Sequence, residues 1–196
     1  MENLILKYFF TSIVIIFLAN SATGQNPNQL PILLDAESSV IENSSNSISF
    51  IKLKINQENN FQLLADKAMA SSLDFSTNEW ELVGNVYLES NGINIKSQSA
   101  LIKFALNEIT EAIFDGSPVI FENIDSLGSI NVSGGAEKIN YSKRSGFISM
   151  EGDAFLKQGN NDFKGCSLTY DIQAEQITSG SSECGQPVVI TITPSE

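Results

Sequence analysis

The sequence predicts an all-β domain, a curved sheet with two walls built from stacked two-strand repeats. Three observations carry that prediction. Gly84, Gly116, Gly152 and Gly185 recur 32, 36 and 33 residues apart, each closely followed by an apolar run, as in "GNVYL" (84–88), "GSPVIF" (116–121) and "GDAFL" (152–156). Such spacing is the mark of a repeat architecture. Within each copy, apolar residues alternate with period two, the pattern of a strand with one buried face. No window of twelve or more residues after residue 25 carries a convincing apolar stripe at helical period.

The copies follow in chain order. Residues 31–55, "PILLDAESSVIENSSNSISFIKLKI", form a degenerate first copy in which Lys52 stands where the Gly belongs. Residues 63–88, 95–120 and 131–156 align without gaps. Residues 163–190 form a last copy with a shorter front and a longer approach to its Gly. In the second strand of its copy, Trp80, Leu82, Val86 and Leu88 share one parity and Glu81, Asn85 and Glu89 the other; Val83 and Tyr87 break the polar face. Ile148, Met150, Ala154 and Leu156 repeat the arrangement, with Phe155 on the opposite side. Turn signals separate strands at Ser76–Asn78, Asn91–Gly92, Lys143–Gly146 and Gly159–Asn161. Residues 64–75 come nearest to a helix, but they align with copies rich in β-branched and aromatic residues.

A Gly inside a strand marks a bulge or sharp bend. Recurring at one place per copy, it bends every second strand at the same height and creates the second wall. Stacked units leave an open edge at each end, here about Ile32–Ser39 and Val188–Thr193, and open edges recruit further strand. "VVITIT" is β-branched and uncharged between Pro187 and Pro194. Two such edges predict head-to-tail self-association; the alternative is a tail that folds back over its own edge.

The first 24 residues differ from the rest. A start with one Lys, an apolar run at 8–18 and a small-residue exit "ANSATG" have the order of a secretory signal. Cleavage is expected after Gly24, with Ser21 the alternative, leaving residues 25–196 as a single domain. A membrane anchor is the competing reading, but spanning takes about 20 apolar residues. Export implies an oxidising compartment, and Cys166 and Cys184 read as one disulfide, against two separate buried thiols.

Composition excludes several functions. A net charge of −12 argues against nucleic-acid partners. With no His, the chain has no His-based triad, general base or metal ligand, and Cys166 has no His to activate it. Carboxylate pairs such as Asp35/Glu37 and Asp171/Glu175 read as solvated surface groups. "GGAEK" (134–138) lacks the ending of a phosphate loop and reads as a turn or strand irregularity. No enzyme, metal or cofactor is expected.

The series "PILLDAESSVIENSSNSISF", "LLADKA", "GNVYL", "GSPVIF", "GGAEKINY", "GDAFLKQ" and "FKGCSLTYD", over residues 31–192, resembles the LptA family of lipopolysaccharide-transport periplasmic proteins in the OstA-like superfamily. The resemblance implies an elongated β-jellyroll, a folded V of two antiparallel sheets whose apolar interior holds lipid A acyl chains. It implies periplasmic subunits joined end to end between inner-membrane LptC-like and outer-membrane LptD-like jellyroll partners. The chain departs from the family in lacking the first Gly and in carrying Cys166 and Cys184. The LptC relatives keep a membrane anchor, which the short apolar run here disfavours.

Positions matching the lipid path in the family are Ile32 and Leu34 near the N-terminal mouth, with Phe121 and Tyr141 further along. Trp80, Leu82, Phe114 and Ile148 are apolar strand positions, read either as groove wall or as plain core. Tyr141 can turn its ring inward and its hydroxyl outward.

Overall fold

In the computed structural model, residues 30–42, 47–180 and 187–194 are described. The expected leader, Cys184 and Gly185 lie outside them. The strands are β1 (Ile32–Asp35), β2 (Ser38–Glu42), β3 (Ser47–Gln57), β4 (Phe61–Ala70), β5 (Thr77–Ser90), β6 (Ile93–Ala105), β7 (Glu108–Ile124), β8 (Ile130–Ser142), β9 (Phe147–Gln158), β10 (Asn161–Asp171), β11 (Gln176–Ser179) and β12 (Val189–Ile192). They form one antiparallel sheet in which, from β3 to β11, each strand pairs with its neighbour in sequence. β1 and β2 lie in line along β3, opposite its two halves. β11 and β12 lie in line along β10. The aligned copies at 63–88, 95–120 and 131–156 fall on β4/β5, β6/β7 and β8/β9. The near-helical stretch at 64–75 is strand as far as Ala70.

The sheet folds along a seam running across its strands. Register shifts fall between Leu64 and Lys67, Val83 and Val86, Lys96 and Ser99, Asp115 and Val119, Gly135 and Lys138, and Gly165 and Ser167. Gly84 (φ +81°) and Gly152 (φ +77°) sit on it, each followed by a second left-handed residue, Asn85 and Asp153. Glycine, and less readily Asn and Asp, accept that backbone. Lys52, where the first copy lacks Gly, adopts φ +53°. Gly116 makes its corner without positive φ, next to a cis Ser117–Pro118 bond.

The corner is more general than the glycines suggest, because strands without one bend as well. They do so by a phase slip: buried positions lie three apart across the seam, with two outward residues between. Phe50 and Leu53 flank Ile51-Lys52, Ala65 and Ala68 flank Asp66-Lys67, and Ala136 and Ile139 flank Glu137-Lys138. In β5 and β9 the extra bulge residue restores the parity, so Leu82 and Val86, or Met150 and Ala154, stay even-numbered. The bulge therefore explains why a single alternation runs through those two strands.

The half-strands before and after the seam make two facing walls. Wall A holds β2, β11 and the halves near residues 47–51, 67–70, 77–83, 99–105, 108–115, 138–142, 147–151 and 167–171. Wall B holds β1, β12 and the remaining halves. The walls are staggered: Phe104 of β6 meets Phe61 of β4, and Tyr170 of β10 meets Phe121 of β7. This is a jellyroll of the folded-V kind. The core lies between the walls, where Trp80, Phe114, Phe121, Ile55, Leu63, Ile102 and Tyr170 are fully buried.

Candidate functional site

At the N-terminal end the V opens into a cavity of about 510 Å³. Ile32 and Leu34 of β1 line it from wall B, and Ser39, Ile41, Ile48 and Phe50 from wall A. Leu73 and Phe75, from the loop joining β4 to β5, close its side. Alternation fixes this arrangement: Ile32 and Leu34 are half-buried while Leu33 and Asp35 point to solvent. The loop is held inward by Leu106 and Asn107, whose backbone N–H groups donate to the carbonyls of Ser76 and Phe75. The mouth leads into an aromatic stack, with Trp80 between Phe50 (ring centroids 5.6 Å apart) and Phe75 (5.1 Å). The Trp80 indole N–H is buried without a hydrogen-bond partner. Ile41 stays 63% exposed beside the mouth.

Of the eight groove positions read from the sequence, only Ile32 and Leu34 face an open cavity. Trp80, Leu82, Phe114, Phe121, Tyr141 and Ile148 join one continuous core between the walls and are packed on all sides. Tyr141 is buried, 3% exposed, with Ser90 of the opposite wall beside its hydroxyl, and burial raises its pKa. The Tyr170 hydroxyl accepts from Asn123 Nδ2 at 3.0 Å, and burial raises its pKa against that bond.

A polar chain at the wall tips escaped the sequence reading. Gln57 Nε2 donates to the Leu30 carbonyl (2.9 Å), Asn60 Nδ2 to Gln57 Oε1 (2.5 Å), and Lys143 Nζ to Asn60 Oδ1 (2.7 Å). Lys143 also pairs with Glu108 at 3.5 Å. Gln57 and Asn60 are buried. Their sequence signal is a polar residue on the apolar parity: Gln57 continues Leu53 and Ile55, and Ser90 continues Val86 and Leu88. "GGAEK" is strand, not turn: Gly134 and Gly135 lie inside β8, facing Phe121 and Phe155, beside the seam irregularity.

Among the described residues both sheet ends are open. Every residue of β2 and β12 is exposed, Ile192 at 71%. The tail does fold back, since β12 covers the edge of β10. Its own outer side becomes the new edge. Cys166 sits half-buried in β10 beside the seam. Among the described residues no helix is long and apolar enough to cross a membrane.

A staggered two-walled jellyroll with an apolar mouth is the fold of a class of domains, the OstA-like domains. Residues 63–176, more than half the chain, match the family described as LptA/(LptD N-terminal domain) LPS transport protein. The chain belongs to that family. It is 28% identical over 127 residues to the lipopolysaccharide export system protein LptA of Escherichia coli (strain K12), covering 64% of this chain and 68% of that protein. It is 28% identical over 154 residues to the protein of the same name from Haemophilus influenzae, covering 76% and 84%. Among solved structures it resembles LptH, the LptA homologous periplasmic component of the lipopolysaccharide transport device of Pseudomonas aeruginosa. The TM-score is 0.53 at 15% identity, over 86% of this chain and 99% of that one, a likeness of fold.

Proposed function

We propose that this chain is a non-enzymatic lipopolysaccharide transport protein that shelters lipid A acyl chains between its two walls. The observation that carries the reading is the apolar mouth at Ile32, Leu34, Ile48 and Phe50, continuous through the Trp80 stack with the core. Family membership and the names of the relatives point the same way. In this reading the chain is exported, loses its leader near Gly24 and acts in the periplasm. Its acyl-binding surface comprises Ile32, Leu34, Trp80, Leu82, Phe114, Phe121, Tyr141 and Ile148. The net charge of −12 leaves the apolar part of the lipid, not its phosphates, as the part held. Each open edge accepts a strand from another copy, or from an LptC-like or LptD-like jellyroll, and so extends a bridge between membranes. A Cys166–Cys184 disulfide ties the last copy together.

Mass spectrometry of lipid co-purifying with the mature protein tests the reading, and lipid A species are expected. Ile32→Asp and Leu34→Asp should abolish their retention, because a carboxylate set against acyl chains costs several kcal/mol. At the mouth it still reaches water, so both variants should fold. Folded variants that retain lipopolysaccharide as wild type does would refute the groove assignment. A second reading, a strand-pairing module that holds no lipid, draws on the close packing around Phe114, Phe121 and Ile148. Lipid-free protein that still associates end to end would favour it.

A further inference from the structure

We infer that the Gln57–Asn60–Lys143–Glu108 chain is a latch across the open side of the V, and that its release lets the walls part to admit acyl chains. The inference rests on the transport reading for its ligand and on geometry for its mechanism. The packed positions leave no room: Phe114, Phe121 and Ile148 are each 0% exposed, and interiors of this kind are close-packed. Acyl chains can occupy the space between the walls only if the walls separate. On the seam side this is barred, because the strands from β3 to β10 run unbroken from one wall to the other. The separation must occur at the tips, where the hairpin turns lie.

Among the described residues, side-chain hydrogen bonds join the two walls near those tips at Asn60–Lys143 and Asn123–Tyr170. The first includes a charge and is the more elaborate. Asn60 is fixed from wall B by its bond to Gln57, by its backbone N–H donating to the Gln57 carbonyl (3.1 Å), and by Ser90 Oγ donating to its own carbonyl (3.3 Å). Lys143 is fixed from wall A by its backbone N–H to the Thr110 carbonyl (3.0 Å) and by Glu108. The single bond between Lys143 Nζ and Asn60 Oδ1 therefore couples two pre-set tips. A polar link suits a reversible closure. Water reaching the parted tips replaces its hydrogen bonds, so the net difference between closed and open is small. Apolar contacts at the same place would have to be exposed outright.

The test compares lipopolysaccharide association for wild type, Lys143→Met, and an Asn60→Cys/Lys143→Cys double variant joined by a reducible bifunctional methanethiosulfonate. Lys143→Met should associate at least 3-fold faster, since the methionine keeps bulk but not the bond. The bridged protein should associate at least 10-fold more slowly than the same protein unbridged, and recover on reduction; wild type carried through the same reductant controls for the native cysteines. Equal rates for bridged and unbridged protein would overturn the latch. If wild type and all variants bind no lipopolysaccharide, the transport reading fails, and hydrogen exchange decides the latch alone. Lys143→Met should then raise exchange at least 10-fold for the inward amides at both tips, near residues 57–62 and 139–143. Unchanged protection there would overturn it.

Discussion

Lys52 shows how a charged residue can take a corner that glycine holds elsewhere. Its left-handed backbone is disfavoured for a side chain with a Cβ. Its ammonium reaches back across the seam to Asp66 Oδ1 at 2.5 Å, while Asp66 Oδ2 accepts from Asn85 Nδ2 at 2.6 Å. One carboxylate thus ties together the corners of β3, β4 and β5. Hydrogen bonding to Lys52, then to Asn85, lowers the Asp66 pKa below its usual 3.8. The stability this confers is present above the unfolded pKa and is lost as pH falls through the lower folded value. Asp66→Asn should therefore flatten the acid limb of a melting-temperature profile below about pH 4 and leave its shape near pH 7 unchanged. The bond to Asp66 raises the Lys52 pKa above 10.5, so its share is complete below that value and fades as pH climbs through the raised one. Gly84 meets the same carboxylate from the other side: an added Cβ would stand 2.7 Å from Asp66 Oδ2. Gly84→Ala combines that contact with a positive φ, and should cost about 1–3 kcal/mol in denaturant unfolding.

Within β8, Gly134 and Gly135 do different work from the seam glycines. A Cβ on Gly134 would lie 2.5 Å from the Phe155 carbonyl oxygen and 2.9 Å from the Phe121 ring. The missing side chains let aromatic rings of the flanking strands cover the β8 backbone, which explains Phe155 on the nominally polar face of β9. Gly134→Ala should destabilise more than Gly84→Ala, because backbone, not a flexible carboxylate, must yield; urea midpoints measured side by side decide it. The alternation in β5 and β9 made those strands legible, and the repeat made the two-walled shape legible. The bend of the other strands was harder to read. The segments "FIKL" (50–53), "ADKA" (65–68) and "AEKI" (136–139) each put two outward residues between inward ones, which looks like failed alternation until the seam is known. Trp80, Leu82, Phe114 and Ile148 were legible as apolar strand positions, since inwardness is what parity encodes, whereas Ile32, Leu34, Phe121 and Tyr141 came from the family resemblance. Which of them meet a void depends on the stagger of the walls, a pairing between distant segments that leaves no local mark. The tip latch was missed because the Gln57/Asn60 pair, Glu108 and Lys143 belong to three separated stretches, and Asn60 and Lys143 occupy turns.

For the whole molecule, the open edges at β1/β2 and β12 predict concentration-dependent, non-closing assembly, as heterologous contacts produce. Sedimentation over a concentration series should show mass that climbs without a plateau. Val189→Pro or Ile190→Pro, each in the strand paired to Lys164 and Phe163, should hold the chain monomeric. The Cys166–Cys184 bond should leave no reactive thiol in unfolded, unreduced protein and contribute about 3 kcal/mol by shortening the unfolded chain's excursions; two titratable thiols would refute it. The order of strands has a kinetic corollary. Because β3 to β11 pair in sequence order, the sheet can assemble hairpin by hairpin at small loop-closure cost, whereas bringing Asn60 to Lys143 or Asn123 to Tyr170 closes loops of 83 and 47 residues. Local contacts of the first kind favour fast formation, and wall closure comes afterwards. Lys143→Met should accordingly leave the refolding rate nearly unchanged and accelerate unfolding. A chevron whose folding arm drops instead would mean that the ribbon cannot form until its two halves have met.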